Sequence, residues 1–171
     1  MKPTYLALTS FALCALVIGC AGGGGGGGTT TSGTTSGTTG GTDYPSTAVD
    51  SSVTRYQGQL VIDGFTTAIP NVRIYFYNAG GAQTGSVRTN SAGKFWLDID
   101  PAFVASFRVD KTTINTSITF HPYMLYLGDT FGLDAGSCRP NSPTATKGAV
   151  TWISGLTIPL KSDPPPSPPG C

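Results

Sequence analysis

The stretch RTNSAGKFWLDI, residues 88–99, joins a tight turn to a short strand and indicates the fold class. In the turn Asn90-Ser91-Ala92-Gly93, asparagine can cap the backbone and glycine closes the chain at low steric cost. After the turn, Phe95, Leu97 and Ile99 alternate with residues that point the other way. Alternation with period two is typical of a strand with one buried face. The stretch therefore predicts a β-strand that enters a core directly after a turn.

The same alternation recurs on both sides of this stretch. The residues predicted to face the core are Tyr56, Gly58, Leu60 and Ile62, then Val72, Ile74 and Phe76, and then Phe103, Ala105, Phe107 and Val109. A later strand is predicted to begin at Ile118 and Phe120, and residues 149–153 and 156–160 supply the last. No segment shows apolar residues at helical spacing together with a cap. Short strands at regular intervals predict an all-β fold, a single antiparallel β-sandwich with Greek-key connections.

The first half of this region resembles a known family. The residues Gly58-Gln59-Leu60-Val61 lead through Ile69-Pro70-Asn71-Val72-Arg73-Ile74-Tyr75 to the turn and strand of residues 88–97. Together they resemble the carboxypeptidase regulatory-like domains, which are also called transthyretin-like or prealbumin-like. The resemblance spans residues 54–99 and implies a prealbumin-like sandwich. It fades further on, because residues 111–146 are longer and more irregular than the family requires.

Residues 1–19 are typical of an export signal. Lys2 supplies a positive charge, and the apolar run Leu6–Ile18 is shorter than the ~20 residues that a transmembrane helix needs. The run ends in Leu16-Val17-Ile18-Gly19-Cys20, which resembles the lipobox of bacterial lipoproteins. This resemblance implies that the signal is cleaved before Cys20 and that a lipid on Cys20 anchors the chain to a membrane. An ordinary cleaved signal with a chance cysteine is the alternative.

The lipobox resemblance also implies a location in the cell envelope. Ala21, rather than an aspartate, follows the cysteine, which favours the outer membrane if the organism has two membranes. Residues 20–49 are rich in glycine, threonine and serine, have little to bury, and are interpreted as a flexible linker. The β-sandwich domain is expected over residues 50–161, and residues 162–171 form a proline-rich tail.

Two cysteines remain once the leader is removed and Cys20 carries a lipid. We predict that Cys138 and Cys171 form a disulfide, because they are an even pair in an oxidising compartment. A free terminal thiol, or a bond between two chains, is the alternative.

The sequence offers few residues for catalysis or metal binding. Ten Lys and Arg residues against nine acidic ones leave no basic stripe, so no nucleic-acid partner is expected. His121, the single histidine, stands beside Pro122 and is interpreted as structural. Asp129 and Asp134 could belong to a calcium loop but are more typical of a solvated turn. We therefore expect no enzyme activity, no cofactor and no metal site.

Tyr75, Tyr77 and Trp96 are candidates for a ligand-binding face. If the strands that carry them adjoin, the three side chains share an outer face that could stack on sugars or bind a protein. Alternatively, aromatic residues simply favour strands, or residues 111–146 cover them. The sequence predicts a non-catalytic envelope module for interaction with an envelope protein or for structure. A carbohydrate-binding module that recognises a glycan is an alternative, and a hydrolase of unrecognised type is a third.

Overall fold

The described part of the chain forms two β-sheets that pack as a sandwich. A computed structural model describes residues 35–37, 43–62, 67–115 and 119–164. Within these ranges the chain forms nine strands and two short 3₁₀ helices, Pro101–Phe103 and Lys111–Thr113. The strands are β1 (Thr35–Gly37), β2 (Thr54–Ile62), β3 (Arg73–Tyr77), β4 (Gln83–Arg88), β5 (Lys94–Ile99), β6 (Ser106–Val109), β7 (Tyr123–Tyr126), β8 (Asp129–Gly132) and β9 (Val150–Ile158). The predicted all-β sandwich is confirmed.

Hydrogen bonds divide the strands into two sheets. The four-stranded sheet has the order β1-β4-β3-β6, and the five-stranded sheet has the order β5-β2-β9-β7-β8. Most neighbours are antiparallel, but β1 pairs with β4 and β2 pairs with β9 in parallel. Parallel strands cannot be joined by a hairpin. The chain accordingly crosses to the other sheet and back twice between β2 and β9.

The core lies between the two sheets, where the predicted alternation places most of its side chains. The residues that were predicted to face inward and are buried are Tyr56, Gly58, Leu60, Ile62, Val72, Ile74, Phe76, Phe95, Leu97, Ile99, Phe107 and Val109. Two of these strands meet through aromatic contacts, since the rings of Tyr56 and Phe76 lie 5.8 Å apart across the core. Burial of such side chains supplies the main favourable term in folding.

Two of the strand predictions need correction. Phe103 was expected in the core, but it is 55% exposed because it lies in the 3₁₀ helix that the Asp100 side chain caps at Ala102 N. Ile118 lies outside the described residues. Phe120 forms only an isolated bridge with Leu160, and the strand itself, β7, begins later.

The last strand contains a β-bulge. The two segments predicted for it form the single strand β9, in which Ser154 and Gly155 together stand opposite the one residue Gln59 of β2. Gly155 has a φ of 72°, a conformation that glycine adopts without strain. The bulge therefore bends β9 at its centre while keeping Leu156 in the core.

Gly58, an inward-facing residue of β2, is a second position where the structure requires glycine. A Cβ atom placed there would lie 2.7 Å from the Phe95 ring and would also collide with the backbone carbonyl of Ile153 in β9. No small shift of a flexible side chain relieves the second contact, because it involves main-chain atoms. The close approach of β2, β5 and β9 thus depends on the missing side chain.

We predict that Gly58→Ala lowers the free energy of unfolding by about 1–3 kcal/mol, because the added methyl overpacks the core and displaces β9. Chemical denaturation of the full chain measures the change. Gly136→Ala is the matched control, since a Cβ there meets nothing within 4 Å and its φ is not positive. Equal stabilities of the two variants would show that the close approach at Gly58 imposes no constraint.

Candidate functional site

The three aromatic residues of the predicted ligand face lie on different sheets. Tyr75 and Tyr77 belong to β3 in the four-stranded sheet, whereas Trp96 belongs to β5 in the five-stranded sheet. The two strands do not adjoin, so the prediction of one shared face is wrong. The alternation of each strand was interpreted correctly. What the sequence could not show is which strands become neighbours.

The two tyrosines of β3 are partly covered by arginines. The Arg108 guanidinium lies 5.7 Å from the ring centroid of Tyr75 and 5.8 Å from that of Tyr77, and Arg139 lies 3.7 Å from Tyr77. Arg108 also donates a hydrogen bond to the Ala135 carbonyl at 2.9 Å. Tyr77 is only 6% exposed. For this residue the alternative interpretation is confirmed, because the 111–146 region covers it.

Trp96 instead belongs to a second aromatic group, which we call the outer aromatic cluster: Tyr44, Trp96 and Trp152. The centroid of the Tyr44 ring lies 6.4 Å from that of Trp96 and 5.0 Å from that of Trp152, and both pairs are T-shaped. Gln57 of β2 pairs in register with both tryptophans and is only 5% exposed between them. The cluster therefore runs across three adjacent strands on the outer face of the five-stranded sheet.

Arg55 binds the residues that precede β2 to this outer face. Its guanidinium makes two hydrogen bonds of 2.7 Å to the Asp98 carboxylate and donates at 2.8 Å to the Thr47 carbonyl. Hydrogen bonding to Asp98 raises the pKa of the Arg55 guanidinium, which stays charged. Residues 35–37 and 43–49 were both assigned to the linker, yet the first range forms strand β1 beside β4 and the second forms part of the folded surface through these contacts.

A second ion pair holds the start of the same segment. Lys94 Nζ lies 2.9 Å from the Asp43 carboxylate and 5.0 Å from the centroid of the Tyr44 ring. Partial burial raises the pKa of the Tyr44 hydroxyl, so the group stays neutral across the physiological range. The Tyr44 ring is thus held in place by Lys94 and by its contacts with the two tryptophans.

A groove of about 250 Å³ opens beside the outer aromatic cluster. Tyr44 and Trp152 line it together with Ser154 and Gly155 of the β9 bulge. None of the side chains that line it is charged. The lining residues are Tyr44, Gly58, Gln59, Val61, Trp152, Ile153, Ser154, Gly155, Leu156 and Thr157.

The candidate catalytic and metal-binding residues are occupied in structural contacts or stand apart. His121 Nε2 lies 3.1 Å from the Asp163 carbonyl. Asp134 forms a 2.6 Å ion pair with Lys111, and Asp129 is exposed at the start of β8. Among the described residues, no three His, Cys, Asp or Glu side chains are grouped so that they could hold a metal ion.

The residues that carry the anchoring and disulfide predictions are mostly not described. Cys138 is exposed in the loop between β8 and β9, whereas Cys20 and Cys171 lie outside the described residues. Lipidation of Cys20 and the pairing of Cys138 with Cys171 stay predictions. No helix in the described part of the chain is both long and apolar enough to span a bilayer.

Comparison with known proteins adds no relative. No family model matches the chain, and no curated protein matches it. The resemblances to lipoproteins and to carboxypeptidase regulatory-like domains therefore rest on the residues that carry them.

We predict that Arg55→Met lowers the free energy of unfolding by about 1–3 kcal/mol, because it removes partly buried hydrogen bonds to Asp98 and to the Thr47 carbonyl. It should also weaken the near-UV circular dichroism of the outer aromatic cluster, since residues 43–49 lose their attachment. Lys147→Met is the control, because it breaks only the surface pair with Asp100, for which about 0–1 kcal/mol is usual. A stable variant with an unchanged aromatic spectrum would contradict the role given to Arg55.

Proposed function

We propose that the chain is a non-catalytic lipoprotein of the cell envelope that displays one β-sandwich for interaction or structural roles. The observation that carries the proposal is the end of the leader, where Leu16-Val17-Ile18-Gly19 precedes Cys20. A glycine- and threonine-rich stretch follows, and the first described strand, β1, begins at Thr35. This order along the chain is that of an anchored domain on a linker, located in the outer membrane if the organism has two membranes.

The contacts of the polar side chains support a non-catalytic role. Asp98 pairs with Arg55, Asp100 with Lys147, and Asp134 with Lys111. Each of these carboxylates is used to hold a strand or a loop in place. A general base needs a reacting group within hydrogen-bonding distance, and these carboxylates instead face structural partners.

The proposal includes a carboxypeptidase regulatory-like, or prealbumin-like, origin for the sandwich. It is supported by the turn that precedes β5, which the resemblance identifies. The Asn90 side chain accepts hydrogen bonds from Ala92 N at 2.9 Å and from Lys94 N at 3.0 Å. Gly93 closes the turn with a φ of 70°. Asparagine thus supplies the capping that an aspartate supplies in the family motif.

The carbohydrate-binding alternative loses the face first predicted for it. Tyr75 and Tyr77 cannot act together with Trp96, because the two sheets separate them. A sugar-binding role would have to use the outer aromatic cluster instead.

The lipid anchor is tested by metabolic labelling with a fatty-acid probe. The full chain should incorporate the probe and partition with membranes, and Cys20→Ser should lose both properties. Cys138→Ser is the matched control and should label normally, because its sulfur is not in the lipobox. A Cys20→Ser form that still labels and still sediments with membranes would refute the anchor.

The disulfide between Cys138 and Cys171 is tested by intact mass spectrometry. Reduction of the full chain should add two hydrogens, and Cys171→Ser should abolish that change. Closing a loop of about 33 residues should also contribute on the order of 3–4 kcal/mol of stability under non-reducing conditions. An unchanged mass on reduction would reject the bond, and a dimer that dissociates on reduction would show that it joins two chains.

A further inference from the structure

We propose that the groove beside Trp152 binds a single neutral sugar ring, which stacks on the exposed indole face. The inference rests on the proposed role as an interaction module and supplies it with a ligand class. It does not depend on the lipid anchor, because every residue that carries it lies in the sandwich. It differs from the face first predicted, since Tyr75 and Tyr77 take no part.

The groove lies where the outer face of the five-stranded sheet lacks a side chain. In β9, the bulge places Gly155 where an ordinary strand would present a side chain opposite Gln59. Val61 and Thr157, which pair in the next outward-facing row, bound the depression on the far side. Bulges often re-aim side chains next to binding sites. Here the bulge contributes Gly155, which has no side chain, to the lining of the groove.

The aromatic side of the groove is fixed in place yet open. Trp152 is 52% exposed, while Tyr44 packs edge-on against it at an interplanar angle of 80°. Tyr44 is itself held by Lys94 and by the attachment of residues 43–49 to Arg55. The negative face of an aromatic ring attracts the weakly positive C–H groups of a pyranose. Trp152 can therefore provide a platform whose orientation is set before a ligand arrives.

The groove also offers polar groups that can form hydrogen bonds with a sugar. Ser154 and Thr157 each line the groove with a hydroxyl that can donate and accept. Gln59 donates its amide to the Ala92 carbonyl at 2.9 Å, which orients the side chain and leaves its oxygen able to accept. An unpaired residue at a bulge also leaves backbone groups available. These groups match the alternating donors and acceptors of sugar hydroxyls.

The charge and size of the groove select among ligand classes. No charged side chain lines it, and the nearby Lys94 is paired with Asp43, so nothing favours an anionic ligand. A purely apolar ligand would make no use of the hydroxyls of Ser154 and Thr157, which line the groove. The volume of about 250 Å³ is below the ~300–1,000 Å³ of pockets for drug-sized ligands. One neutral ring fits these limits best.

The test is isothermal titration of the full chain with glucose, galactose and N-acetylglucosamine, and with the neutral trisaccharides maltotriose, cellotriose and chitotriose. The protein is held in a detergent without a sugar headgroup, so that the detergent does not compete. Because a small ligand contributes only a few tenths of a kcal/mol per atom, we expect a Kd that is roughly millimolar for the best single sugar. Failure of all six probes to bind at tens of millimolar would overturn the proposal.

Variants locate the binding. Trp152→Ala should weaken the best probe more than tenfold, and Thr157→Val, which keeps the shape and removes the hydroxyl, should weaken it several-fold. Val150→Ala is the matched control, because Val150 is 42% exposed on the same face of β9 but does not line the groove. Circular dichroism confirms that each variant is folded. Binding that Trp152→Ala leaves intact, or that Val150→Ala abolishes, would contradict the assigned site.

Two further results separate this inference from the proposed anchor. Cys20→Ser should bind the sugar as the native chain does, even though it loses the lipid. Labelled protein without sugar binding would overturn the groove alone, and sugar binding by an unlabelled native chain would overturn the anchor alone. Tighter binding of glucuronate than of glucose would contradict the neutral ligand class.

Discussion

The sandwich depends on the close approach of β9 to β2 at Gly58, where one backbone meets another without an intervening side chain. Because β9 lies parallel to β2, it completes the five-stranded sheet at its centre rather than at its edge. β9 is the last strand of the described residues, and it is therefore needed before the sheet has a continuous inner face. The bulge of β9 and the outer aromatic cluster both follow from this placement, since each requires the two strands to be in register.

In the same sheet, β2 has buried side chains on both of its faces. Toward the core, β2 contributes Tyr56 and Leu60, which are almost fully buried. Toward solvent it contributes Arg55 and Gln57, which are also buried, because residues 43–49 and the two tryptophans cover them. A buried arginine needs a partner for its charge, and Asp98 on the adjacent strand supplies it. The covering segment is thus a third layer over part of the sandwich.

The sequence predicts the strands better than it predicts their neighbours. Alternation identified the inward residues of β2, β3 and β5, because a period of two depends only on local geometry. It failed at Phe103, where Pro101 starts a 3₁₀ helix capped by Asp100. The pairing of strands depends on contacts between distant residues, so the separation of Tyr77 from Trp96 was not visible. Trp152 lies within a segment that was predicted to be a strand, but only the fold shows that the Tyr44 ring contacts it.

The attachment of residues 43–49 has a mechanical consequence. Force that reaches Asp43 does not pass directly to β2, because Lys94 and Arg55 hold residues 43–49 to two strands of the five-stranded sheet. Load on this segment is therefore borne first by the ion pair of Asp43 with Lys94 and by the hydrogen bond from Arg55 to the Thr47 carbonyl, before it reaches the hydrogen bonds of the sheet. Tyr44 lies between these two fastenings, so the same load would draw its ring away from Trp152. Tension along the backbone and the shape of the groove are coupled through one short segment.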